Sequence, residues 1–164
     1  MPGMAGTARK TVADLLANAR SVIQRMDPEA AWDACGSGAA LIVDIRSIDE
    51  RRRDGIVPGS LHLPRTVLEW RVDPESGWSN RHAVETERRL ILLCAHGWSS
   101  SLAAATLVDL GYRDAGDVEG GFEAWLASGL PTACAPEHPT GVRPGMAPPT
   151  DRSLPWLWRP ARID

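Results

Sequence analysis

The chain is poor in cysteine and has no long apolar run and no excess of charge of one sign; each shortage excludes a class of protein. Cys35, Cys94 and Cys134 are its three cysteines, and no two are spaced as C-x-x-C. Three thiols cannot all pair, so neither a disulfide framework nor a zinc knuckle is expected, and at least one free thiol needs a reason. No metal or cofactor is expected. Lys+Arg 18 against Asp+Glu 21 leaves a formal charge of -3, which gives no electrostatic reason for a nucleic acid or an anionic membrane surface as partner. The longest apolar stretches, Ala39–Val43 and Leu90–Ala95, fall far short of the ~20 residues of a membrane-spanning helix. The first twenty residues lack the unbroken apolar region of about 7–15 residues that a secretory signal carries. A cytoplasmic location is therefore the expectation. Tyrosine and phenylalanine occur once each against seven tryptophans, a bias that nothing in the sequence explains.

What is present describes one ordinary domain. The chain has 164 residues, 43% of them hydrophobic and 24% charged, enough to bury a core without staples. Thr11 to Met26 carries Val12, Leu15, Leu16, Val22 and Ile23 at helical spacing, which predicts a leading amphipathic helix capped by Thr11. Asp27-Pro28 opens a second helix that Cys35-Gly36 stops. Ala40–Ile45 is an apolar run of branched residues, as in a strand buried on both faces, and it exits through Asp44 and Arg46. Ser47 to Glu50 reads as a capping box for a short helix closed at Gly55, followed by an Ile56–Ser60 turn. Leu61–Leu63 is a minimal strand ended by Pro64, and Thr66 to Glu69 reads as a second capping box leading into Trp70. A polar loop is expected from Asp73 to His82. Leu90–Cys94 is the second strong strand; Ser99–Leu110 is a helix stopped by Gly111. Asp117-Val118 and Phe122–Ser128 supply one more strand and one more helix. This alternation predicts an α/β domain on a mainly parallel sheet. From Pro131 to Asp164, eight of the thirteen prolines fall in 34 residues, which excludes regular secondary structure. Leu154 to Trp158 places bulky apolar residues in that tail, and the expectation is that Trp156 or Trp158 docks in an apolar groove, with a disordered tether as the alternative.

The segment that carries chemistry is Cys94-Ala95-His96-Gly97-Trp98-Ser99-Ser100. It joins the carboxyl end of a buried strand to a helix, the place where open α/β sheets bind ligands. A loop turned this tightly aims successive N–H groups inward, and the following helix adds positive potential. Such a cradle favours a thiolate, a persulfide or a bound oxyanion. An inert cysteine buried at a strand end is the plain alternative.

Here the sequence resembles the single-domain rhodanese-like sulfurtransferases, over roughly Met26 to Ala133. The pieces, in the family's order, are Asp44-Ile45-Arg46 with Glu50, the turn Gly55 to Ser60, the strand ending in Cys94 with its six-residue loop to Ser99, Leu110-Gly111-Tyr112, and Gly120-Gly121 through Trp125 to Gly129-Leu130-Pro131. The resemblance implies a three-layer domain, a mainly parallel central sheet flanked by helices, spanning 26–133, with an N-terminal helical extension at 1–25 and a Pro-rich tail at 134–164. It implies that Cys94 carries a sulfane sulfur as a persulfide, taken from a small donor and passed to a cyanide or thiol acceptor, with a protein acceptor or a homodimer as further partners. Ala95, His96, Gly97, Trp98, Ser99 and Ser100 would line the substrate site.

Two residues depart from the family pattern. Ser99 stands where many thiosulfate-using members have Arg or Lys, and Ile56 replaces the turn's usual His. Asp44 and Arg46 read more simply as a strand-end ion pair than as site residues, Arg65 more simply as a surface residue than as the missing cation, and Glu50 as half of the Ser47 cap. His96 is too near Cys94 along a tight loop to share its direction, so a general-base role is not favoured; Trp98 is expected to project outward. Cys134, just past the domain, could resolve a persulfide only by chance placement. A noncatalytic binding module of the same fold is the alternative function, against which the retained Cys94 argues. A cysteine phosphatase needs C-x5-R, and counting from Cys94 that place holds Ser100.

Overall fold

The computed structural model describes residues 9–136, and no helix among them is long and apolar enough to cross a membrane. Trp156, Trp158 and most of the tail lie outside the described residues. Five strands, β1 (Gln24–Met26), β2 (Ala40–Asp44), β3 (Leu61–His62), β4 (Arg89–Leu93) and β5 (Gly116–Val118), form one sheet in the order β1-β5-β4-β2-β3. Every pairing is parallel. Seven helices connect them among the described residues: α1 (Val12–Val22), α2 (Pro28–Gly36), α3 (Ile48–Asp54), α4 (Leu68–Val72), α5 (Arg81–Val84), α6 (Ser99–Asp109) and α7 (Gly121–Ala127).

The two central strands explain the three layers. Alternate residues of a strand point to opposite faces. In β2 and β4, Leu41, Val43, Leu90 and Leu92 pack with Ala103 and Leu107 of α6, whereas Ala40, Ile42, Ile91 and Leu93 pack with Phe122 and Trp125 of α7. Both faces are covered, so both strands read as continuous apolar runs. The Ser47–Glu50 box forms, and Thr11 pairs reciprocally with Asp14 at the start of α1.

Two local expectations are corrected. The leading helix stops at Val22, and Gln24–Met26 is instead an edge strand parallel to β5. Val22, Ile23 and Met26 suit either structure, and the ladder decides: Gly116, having no side chain, admits the Gln24 carbonyl where a Cβ would overlap it. The sheet thus begins ahead of the 26–133 boundary. The Thr66 box does not form either. Residues Arg65–Val67 make a 3-10 turn and α4 has no side-chain cap, because the Glu69 carboxylate accepts from Arg65 Nη1 at 2.7 Å instead. Within the polar loop, Asn80 caps the short α5. At the far end, Ile56 and Ala133 exchange backbone hydrogen bonds of 2.8 and 2.9 Å, and buried Trp125 donates to the Pro131 carbonyl at 3.0 Å.

The exit of β2 is a buried charged knot. Asp44, fully buried, accepts from Arg46 Nε at 3.0 Å, Arg46 Nη2 at 2.7 Å and Arg51 Nε at 3.2 Å. Arg46 also donates to the Gly55 carbonyl at 2.9 Å and lies 3.8 Å over the Phe122 ring. The strand-end pair is therefore present, with Arg51 as a second cation that spacing did not suggest. His62 donates from Nε2 to the Arg46 carbonyl at 2.9 Å. Burial pushes its pKa below the usual 6.5, and the Arg51 and Arg46 charges add to that. The folded state thus holds His62 neutral at pH values where the unfolded chain protonates it, so stability falls as pH drops below about 6.5. Comparing urea midpoints at several pH values, we expect His62→Gln to flatten this dependence by up to about 1.4 kcal/mol per pH unit. Equal slopes in the two proteins would show that His62 contributes nothing to the acid limb.

Candidate active site

Cys94 is the first residue after β4, and its side chain is nearly buried, 7% of the residue being exposed. Its Sγ accepts from Gly97 N at 3.1 Å and from Ser100 N at 3.4 Å. Trp98, at the N-cap of α6, offers no side-chain hydrogen bond to the helix, so the sulfur itself takes the Ser100 amide that a cap would take. The sulfur thus faces two amide donors and the positive end of an eleven-residue helix, a setting that favours negative charge.

The loop holds this shape through its neighbours. Phe122 N donates to the Cys94 carbonyl at 2.8 Å and Glu123 N to the Ala95 carbonyl at 3.1 Å, so the start of α7 satisfies the outward carbonyls. Gly97 has φ +75°, and a Cβ there would meet the Gly120 nitrogen at 2.7 Å; no other residue fits that turn without moving backbone.

A cavity of about 390 Å³ opens over the sulfur, and its walls include Arg46, Glu50, Arg65, Ala95, His96 and Ser99. Trp98 also borders it and is 63% exposed, projecting outward as expected. Arg65 is on this wall, not a residue of the remote surface, because the 3-10 turn after β3 brings it beside the loop; its guanidinium is paired to Glu69 at 2.7 Å. Glu50 is also on the wall, and hydrogen bonds from Ser47 hold its carboxyl below the usual carboxylate range, so it is a fixed anion. His96 pairs through Nδ1 with Glu123 Oε2 at 2.8 Å. Among the other thiols, Cys35 is half-buried with its pKa pushed up by burial, and Cys134 is exposed.

Beneath the loop are residues that the sequence did not single out. Asp117, fully buried in β5, accepts from Ser100 Oγ at 3.0 Å, Ser101 Oγ at 2.7 Å and Arg25 Nε at 2.9 Å. Arg20 and Arg25 both donate to the Gly97 carbonyl, at 3.0 and 3.3 Å. A carboxylate inside a short apolar strand was a readable signal. Arg20 and Arg25 carried none, since their partners lie more than seventy residues away along the chain.

Residues 27–128 match the rhodanese-like domain family. The chain is 32% identical over 117 residues to a thiosulfate sulfurtransferase GlpE of Actinobacillus succinogenes, an alignment covering 71% of this chain and 93% of that protein. Among solved structures, a Rhodopseudomonas palustris CGA009 protein described as of unknown function and a possible tyrosine phosphatase superposes with TM-score 0.72 at 35% identity, covering 80% of this chain and all of that one. The polysulfide-sulfur transferase homodimer of Wolinella succinogenes superposes with TM-score 0.57 at 25% identity, covering 75% of this chain and 87% of that one. With the match over residues 27–128 and the identity to thiosulfate sulfurtransferases, and with a cysteine sulfur capping the helix behind a parallel strand, the chain belongs to the rhodanese-like family as a sulfurtransferase.

Proposed function

We propose that Cys94 is the sulfur carrier, moving a sulfane sulfur from a small donor to a thiophilic acceptor through a Cys94 persulfide. The observation that supports this most is the Cys94 sulfur at the floor of the cavity, receiving the Gly97 and Ser100 amides. In the first half-reaction the thiolate attacks the outer sulfur of the donor. The donor's bond to that sulfur breaks, S–S in thiosulfate or a persulfide and C–S in mercaptopyruvate. Its electron pair leaves with the remainder, as sulfite from thiosulfate, a thiolate from a persulfide or the enolate of pyruvate from mercaptopyruvate. In the second, a cyanide or thiol attacks the outer persulfide sulfur and the Cys94 thiolate departs. The amides that hold the thiolate also hold the persulfide anion, so neither state is left uncompensated. Intact mass after incubation with thiosulfate, mercaptopyruvate or a low-molecular-weight persulfide should show one added sulfur, and peptide mapping should put it on Cys94. No added sulfur with any of the three would favour the binding-module reading.

The phosphatase reading has less support. A phosphoryl group needs a bidentate cation at the sixth place after the cysteine, and Ser100 there is buried with its hydroxyl on the Asp117 carboxylate.

The charge on the cavity wall sets the donor preference. Arg65 is tied to Glu69, and Asp44 is shared by Arg46 and Arg51, leaving one positive charge that the fixed Glu50 anion offsets, so a free sulfonate finds little net attraction. Thiosulfate is accordingly a poor donor beside an organic persulfide. Ser99 lies at the start of α6 and on the cavity wall. Ser99→Arg should therefore lower the KM for thiosulfate by about five- to tenfold, since a guanidinium pairs bidentately with sulfonate oxygens. Added salt should erode that gain. Efficient thiosulfate use by the unaltered protein, with no change on substitution, would mean that the backbone amides suffice.

A further inference from the structure

We infer that the buried pair Arg25 and Asp117, acting through the Ser100 hydroxyl, is a positioning unit that sets how readily Cys94 is released from thiol to nucleophilic thiolate. The inference rests on Cys94 being the nucleophile, and it concerns residues in β1 and β5 that do not border the cavity.

The geometry forms a chain with one hydrogen to share. Ser100 Oγ stands 3.2 Å from Cys94 Sγ and 3.0 Å from Asp117 Oδ2. Its single hydrogen reaches one or the other. While Cys94 is a thiol, its S–H donates to Ser100 Oγ and the Ser100 hydrogen goes to the carboxylate. Once Cys94 is a thiolate, the sulfur needs that hydrogen, and Asp117 must give it up. It can do so because Arg25 Nε at 2.9 Å and Ser101 Oγ at 2.7 Å keep the carboxylate satisfied. Ser101 Oγ accepts from Arg20 Nε at 3.2 Å and has two acceptors for its one hydrogen, the Gly97 carbonyl at 3.1 Å and the carboxylate at 2.7 Å. The carbonyl already receives Arg20 and Arg25, and the shorter contact to Asp117 takes the hydrogen.

Charge makes the pair consequential. Asp117 is fully buried, and a bare anion one hydroxyl away from the sulfur would oppose a second negative charge. Arg25 cancels it. Among the described residues, the other charged or titratable groups around the sulfur are Arg46, Glu50, Arg65 and His96 on the cavity walls, Glu123 of α7 paired with His96, and Arg20 behind the loop. Glu119 stands 3.9 Å from Arg25 and is half exposed, so it bears on the pair from solvent. None of these shares a hydrogen with the Cys94 sulfur through one intervening side chain.

The test reads Cys94 directly, as the pH dependence of its alkylation by iodoacetamide, located by peptide mass in the full chain. Arg25→Gln should slow alkylation near neutral pH about tenfold and move the midpoint up by about one pH unit, because Asp117 is left uncompensated. Asp117→Asn should move the midpoint down by a similar amount. The double variant Arg25→Gln/Asp117→Asn should return to within about threefold of the parent rate. A role limited to holding the sheet together predicts the reverse, with the double variant at least as impaired as either single one. If Arg25→Gln does not fold, Ser100→Ala supplies the second arm, since in that background Asp117→Asn should move the midpoint by less than about half as much, only the charge acting through space remaining. An unchanged or raised midpoint in Asp117→Asn overturns the inference, as does a double variant no closer to the parent than Arg25→Gln. Persisting transfer in Cys94→Ser would instead overturn the nucleophile reading, which the alkylation midpoints do not measure.

Discussion

Cys94→Ser is expected to lose sulfur transfer by at least about a thousandfold while keeping the fold. A serine hydroxyl is far less acidic than a thiol and cannot form a persulfide, so the covalent step is removed and not merely slowed. The structural cost is small. A hydroxyl at this position still accepts the Gly97 and Ser100 amides and still donates to Ser100 Oγ, the three contacts of the present sulfur, so urea stability should stay within about 1 kcal/mol of the parent. Initial rates with a persulfide donor and a cyanide acceptor, beside a urea melt, measure both halves. Retained transfer, or an added sulfur found on Cys35 or Cys134 in the parent, would remove Cys94 from its assigned place. Burial already works against Cys35, since it pushes that thiol up and away from the reactive form.

Asp44→Ala should be the most damaging single change to stability, at about 3–5 kcal/mol. The carboxylate is the shared partner of Arg46 and Arg51, whose side chains are 1% and 3% exposed. Removing it leaves two buried guanidinium groups without the carboxylate that both are hydrogen-bonded to, the case in which a buried pair costs most when broken. For a domain of this size the melting temperature should fall by roughly 10–20 °C. Activity should fall with it, since Arg46 is also a wall of the cavity over Cys94. Asp44→Asn, which keeps hydrogen-bond acceptors in place, should recover part of the loss. A cost below about 1 kcal/mol for the alanine would mean that water reaches both guanidinium groups in the native state.

Much of the architecture was legible because its signals are local. Ala40–Ile45 reads as a doubly buried strand and Leu90–Cys94 as a second apolar strand, close to the strands Ala40–Asp44 and Arg89–Leu93 that form, and the Ser47 box is legible because its two partners are three residues apart. The errors occurred where a local signal had a competitor farther along the chain. Gln24–Met26 reads as the end of a helix, since three residues carry little periodic information and the pairing with Gly116–Val118 lies some ninety residues away. Thr66 looked like a cap until Arg65 took its Glu69 partner. At the site, the Cys94 loop was evident from strand, glycine and helix in succession. Arg65 is partly exposed, in keeping with a surface residue, yet it also borders the cavity, which only the return of the chain after β3 brings about.

The sequence by itself determined the α/β alternation, the apolar centre of the sheet, and the cysteine at the mouth of a helix. Each is set by residues within one turn or one strand of each other, where backbone geometry alone decides the outcome. The tertiary structure alone decided what surrounds that cysteine. It put the fixed Glu50 anion and the paired Arg65 on one wall, and Arg25 with Asp117 beneath the loop. Those neighbours come from separate strands and turns that meet only when the sheet closes. Burial at Asp117 strengthens the interactions between charges beneath the loop by excluding water, so the environment of the sulfur is a property of the closed fold and of no single segment.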